Sequence, residues 1–167
     1  MKKNEDRFVT AIFCDDIRQE VGNKLSFIGC YQGELFVPMA PIALPKLCVF
    51  ASVWTSKEKP FKSLTIRIVQ DDETELARIE IPEEGIKEAS QITDETSTRK
   101  AFSTAIVFAP FAVEKPTMLK LVATTEDGEI VGPRLLIKVA AALESASQSA
   151  IKPKAVKSKP SKSRATK

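Results

Sequence analysis

The chain has 167 residues and 43% apolar composition, enough for one domain to bury a core without disulfides or a metal. It contains no histidine, which excludes Ser-His-Asp and Cys-His catalysis and histidine-rich metal sites, and its six glycines fit neither G-x-G-x-x-G nor G-x-x-x-x-G-K-[ST]. The net charge of +3 hides a division: Lys152, Lys154, Lys157, Lys159, Lys162, Arg164 and Lys167 are joined by no acidic residue, so residues 1–144 carry 18 − 22 = −4.

The start, Met1 to Arg7, mixes both charge signs and reads as neither signal peptide nor anchor. No window approaches the roughly 18 apolar residues that span a bilayer. Phe8 to Cys14 is apolar on both faces and predicts a central strand. From Phe13 to Tyr31 two apolar strands are joined through a charged bend and a Gly22-Asn23 turn, whose residues tolerate positive backbone angles. In that bend an Asp15 or Asp16 carboxylate is expected to cap backbone N–H groups, and Gly29 to allow close packing. Pro38, Pro41 and Pro45 predict an extended, polyproline-like crossover.

Lys46 to Trp54 is again apolar on both faces, with Trp54 at the core or its rim. In Lys62 to Val69, Leu64, Ile66 and Ile68 alternate with Ser63, Thr65 and Arg67, the period-two pattern of a half-buried strand. Ala77, Ile79 and Ile81 repeat it beyond the loop Asp71-Asp72-Glu73-Thr74. The polar stretch Pro82 to Lys100 has room for one short helix around Glu83 to Ser90. Ala101 to Phe108 and Leu119 to Thr124 are further strands, and Asp127-Gly128 signals a hairpin into a last strand, Glu129 to Val139, interrupted at Gly132-Pro133. Ser145 to Lys167, built mainly of Ala, Ser, Lys and Pro, reads as a disordered tail.

These elements predict an all-β fold: a single β-sandwich over residues 1–144, immunoglobulin-like in its two sheets, with about seven to nine antiparallel strands. A small closed β-barrel is the alternative.

The run Phe13-Cys14-Asp15-Asp16-Ile17-Arg18, followed by Glu20, Gly22, Lys24, Ser26, Gly29 and Tyr31, with Leu44-Pro45-Lys46-Leu47 further on, resembles a family of small uncharacterised bacterial and prophage-borne proteins opening on such a hairpin. The similarity covers roughly residues 5–140 and leaves the tail outside. It implies an intracellular β-sandwich and brings no established activity.

Asp15, Asp16, Arg18 and Tyr31 are the candidate binding residues of the hairpin. The carboxylates lack the D-x-D-x-D-G spacing of a calcium loop, and no metal or cofactor is expected. The odd number of cysteines, Cys14, Cys30 and Cys48, and their apolar surroundings suit reduced thiols in the cytoplasm; an enzyme would need a lysine base, a pocket with perturbed carboxylates, or a reactive thiol among these three. The expectation is a non-enzymatic module that binds another protein, or a second copy of itself, and no membrane. The alternative is weak, sequence-independent nucleic-acid binding through the seven basic residues of the tail.

Overall fold

Period-two alternation organises the chain into two packed sheets, seen in a computed structural model that describes residues 6–91 and 96–140. One sheet has four antiparallel strands in the order β2 (Lys24–Cys30), β1 (Phe8–Glu20), β5 (Leu47–Ser56) and β8 (Arg99–Phe108). The other has five, in the order β3 (Glu34–Val37), β11 (Gly128–Val139), β10 (Thr117–Thr125), β6 (Leu64–Gln70) and β7 (Thr74–Ile81). Neither closes on itself, so the fold is an all-β sandwich and the barrel alternative is wrong.

Alternate side chains of both sheets meet in one core. Val9, Phe13, Leu47, Val49, Ala51, Val53 and Ile106 come from the first sheet, and Leu64, Ile66, Ile68, Leu119, Leu121, Leu135 and Ile137 from the second. Each fully buried aliphatic side chain contributes on the order of 1.5–3 kcal/mol relative to exposure, so this layer contact outweighs any single polar contact in the domain. The short helix is present as α1 (Glu83–Gln91), which joins β7 to β8, the outer strands of different sheets, and buries Ile86 in the common core.

Three details differ from expectation. The proline-rich crossover contains a strand, β4 (Ile42–Leu44), paired with β9 (Phe111–Val113) in a small separate sheet; Pro41 and Pro45 flank it, where a missing N–H costs no ladder bond. The strand β3 runs parallel to β11, the single parallel pairing in an otherwise antiparallel set. Gly132-Pro133 does not end β11: the register slips by one residue opposite Leu121, a bulge at which a Cβ on Gly132 would lie 2.4 Å from Val9. The basic tail and its seven candidate residues lie outside the described residues.

Candidate functional site

The charged segment after Cys14 is part of β1 itself, which continues through Asp15 and Asp16 to Glu20 with β2 beside it. The Gly22-Asn23 turn closes this hairpin with φ values of 82° and 57°, as expected. Opposite Asp15 sits Gly29, at φ 66°, and a Cβ there would fall 1.9 Å from the Asp15 carboxylate oxygen. Glycine is therefore needed twice over, for the left-handed backbone and for the space the carboxylate occupies.

The four candidate residues separate into two clusters. Tyr31 donates its hydroxyl to Asp15 while its ring packs against the core, and burial, followed by this hydrogen bond, raises the phenol's pKa. Asp16 accepts from Lys46 Nζ at 2.8 Å and Arg18 Nε at 3.0 Å, and these two cations hold its carboxyl below the usual range. The carboxylates thus bond to the side chains of Arg18 on β1, Tyr31 just after β2 and Lys46 just before β5, in place of the backbone N–H groups of a capped bend. Lys46 completes the second cluster; its place in the Leu44-Pro45-Lys46-Leu47 segment was the only sequence signal for it.

The hairpin does not extend straight from the sheet. Phe27 pairs with Ile17, whereas Phe50 pairs with Ile12, five residues earlier along β1 (17 − 12 = 5), a separation of about 16 Å in a straight strand. Yet the Phe27 and Phe50 rings meet edge to face at 5.1 Å. The arm therefore curls back over the outer face of the four-stranded sheet, with the turn of backbone at Gly29 inside the curled region. Its cover explains why Cys14 and Cys48, on the side of the strands away from the core, are buried.

Beyond the arm, this outer face is apolar and open among the described residues. Phe8 is 40% exposed and Ile12 37% on β1, and Val107 53% on β8, on a surface otherwise made by Thr10, Phe50, Ala101, Ser103 and Ala105. Phe8 stacks on Trp54 with ring centroids 5.8 Å apart, and Arg99 lies over the Phe8 ring at 5.2 Å. The outer face of the five-stranded sheet is mixed: Arg67, Arg78, Lys120 and Lys138 pair with carboxylates, while Phe36, with Lys138 over its ring at 5.8 Å, and Val131 are exposed apolar side chains.

At the end of the sandwich near the start of β1, Arg7 was invisible to sequence reasoning, being one cation before an apolar run. Its side chain is buried over the Phe61 ring at 4.6 Å, paired with Glu126 at 2.6 Å and Asp127 at 3.2 Å, and donating to Thr55 Oγ1 and the Lys59 and Pro60 carbonyls. Burial opposes ionisation of Glu126. Hydrogen bonds from Arg7 and from the backbone N–H groups of Lys62 and Ser63 overcome it and bring the carboxyl from 4.5 down to about 2. These ion pairs and hydrogen bonds make Arg7 a clasp between the first strand and the β10–β11 hairpin.

Among the described residues no three Cys, Asp or Glu side chains converge as a metal site, and no helix is long and apolar enough to cross a membrane. Fold and site together define a two-sheet β-sandwich with a curled ionic hairpin arm and one bare apolar face. The chain belongs to a family of unknown function, DUF6941, matched over residues 9–138, which takes in the sandwich from β1 to β11. It has no match among curated proteins.

Proposed function

We propose that this domain is a non-enzymatic binding module that docks a protein partner on the outer face of its four-stranded sheet. The observation that carries the reading is the exposed set Phe8, Ile12 and Val107 on the outer face of β1 and β8, among the small side chains Thr10, Ala101, Ser103 and Ala105. Exposed apolar surface of this kind is costly to leave in water and marks interaction sites. Arg99 lies at its edge, over the Phe8 ring. The partner that fits is therefore a protein with an apolar surface edged by carboxylates, engaged at its centre by Phe8, Ile12 and Val107. Among the described residues β8 is the last strand of its sheet, and its outer edge offers main-chain pairing to the same partner.

The immunoglobulin-like reading of the sandwich is supported by its two packed sheets, and a cytoplasmic, prophage-associated setting by the resemblance and the odd cysteine count. The test is capture from nuclease-treated lysate of a native host, with full-length protein, a chain ending at Glu144, and full-length Val107→Glu and Arg78→Glu variants. The proposal expects one protein held by the wild type, the shortened chain and Arg78→Glu, and lost with Val107→Glu. Retention of nucleic acid by full-length protein alone, with no protein captured, would transfer the function to the tail.

A further inference from the structure

The three cysteines are scattered in sequence and aligned in space. Cys14 registers with Cys30 on β2 and with Cys48 on β5, so the thiols occupy one rung across three neighbouring strands, and all three are free. Side chains directly opposite one another share a face and are close neighbours. The hydrogen-bond phase distinguishes the two pairs. Tyr31 N–H donates to the Phe13 carbonyl at 2.8 Å, so Phe13 and Tyr31 form the bonded pair and Cys14 and Cys30 the adjacent non-bonded one. Non-bonded pairs bring Cα atoms to about 4.5 Å, inside the roughly 4.4–6.8 Å span of a disulfide. Cys14 then turns its own N–H and C=O toward β5, which sets Cys48 in a wider, hydrogen-bonded pair.

Access differs as well. Cys14 and Cys48 are buried, and their thiols lie near the Asp16 and Asp15 carbonyls at 3.4 and 3.7 Å, whereas Cys30 on the edge strand is exposed. We propose that Cys30 is an oxidation site for hydroperoxides and that Cys14 resolves it, giving a reversible Cys14–Cys30 disulfide across the base of the hairpin. The Cys30 thiolate attacks the peroxide O–O bond; an S–O bond forms, O–O breaks, and the leaving oxygen departs as alcohol or water, giving the sulfenic acid. Cys14 loses its proton and attacks that sulfur; S–S forms, S–O breaks, and hydroxide leaves as water. Two thiols have lost two electrons and one hydroperoxide has gained them. Burial, and then the neighbouring Cys48 and Cys30, push the Cys14 thiol up to about 11, which assigns the first attack to Cys30 and makes resolution the slower step.

Full-length native protein treated with hydrogen peroxide, alkylated and digested with trypsin without reduction tests this. The cysteines fall in separate peptides, Phe8–Arg18, Leu25–Lys46 and Leu47–Lys57. The expected result is a linked Phe8–Arg18/Leu25–Lys46 species, loss of two of the three titratable thiols, and full recovery with dithiothreitol. In Cys14→Ala the oxidation is expected to stop at Cys30, trapped as a dimedone adduct. A linkage to Leu47–Lys57, a Cys30–Cys30 link between chains, or three thiols still titratable after peroxide would each overturn the proposal on wild-type protein.

Discussion

At the scale of single residues, the base of the hairpin depends on one glycine. At Gly29 any side chain meets both a left-handed backbone angle and the Asp15 carboxylate. Gly29→Ala is expected to lower stability by about 2 kcal/mol or more in urea unfolding, the left-handed angle alone accounting for about 1–3. In an Asp15→Ala background the clash with the carboxylate is removed, leaving the Cβ of residue 15 at 3.1 Å and the backbone part, so a double-mutant cycle should return a clear coupling. Equal costs in both backgrounds would mean that the carboxylate does not set the fit. Glu126 is the second such residue. Its folded pKa, near 2, is below its ordinary 4.5, so the stability it contributes is fully present above pH 4.5 and is lost as the pH falls toward 2. Glu126→Gln is expected to cost about 1–3 kcal/mol at neutral pH by leaving the buried Arg7 short of a partner, and to flatten the stability profile between pH 4.5 and 2. An unchanged acid slope in the variant would contradict the clasp.

At the scale of elements, what was legible in the sequence followed from local chemistry. The strands β6, β7 and β10 alternate apolar with polar side chains, so that pattern marked them; Gly22-Asn23 and Asp127-Gly128 marked the β1–β2 and β10–β11 turns by backbone freedom. The strands β3, β4 and β9 were missed because three or four residues repeat a two-residue period too few times to stand out, and their pairing partners are remote in sequence. The double-sided apolarity of β1, β5 and β8 was legible, but its cause was not: cover from a second layer and exposure of a docking face give the same pattern. The Cys14–Cys30 juxtaposition had a usable signal, since each lies eight residues from Gly22 (22 − 14 = 30 − 22 = 8), whereas Cys48 and Lys46 depend on long-range sheet order that no local pattern encodes. At this scale the account expects Ile12→Lys and Val107→Lys to change stability by less than about 1 kcal/mol, since both positions are already exposed, and to abolish partner capture together. A large loss of stability would place these side chains in the core instead.

At the scale of the molecule, the sandwich assigns different work to its two outer surfaces. The five-stranded sheet meets water through paired charges with Phe36 and Val131 exposed among its strands, and the four-stranded sheet presents apolar side chains partly roofed by its own hairpin arm. The arm is held by Tyr31, Asp15, Asp16 and Lys46, so the candidate residues read from the sequence support the edge of the face that contacts the partner, while Phe8, Ile12 and Val107 make the contact. The decisive measurement is the equilibrium affinity of the purified captured partner for wild type, Val107→Glu and Arg78→Glu. The account predicts binding weakened at least tenfold by Val107→Glu, equivalent to about 1.4 kcal/mol, and unchanged by Arg78→Glu. Equal affinity for wild type and Val107→Glu, with the variant folded, would contradict it and place the interface elsewhere.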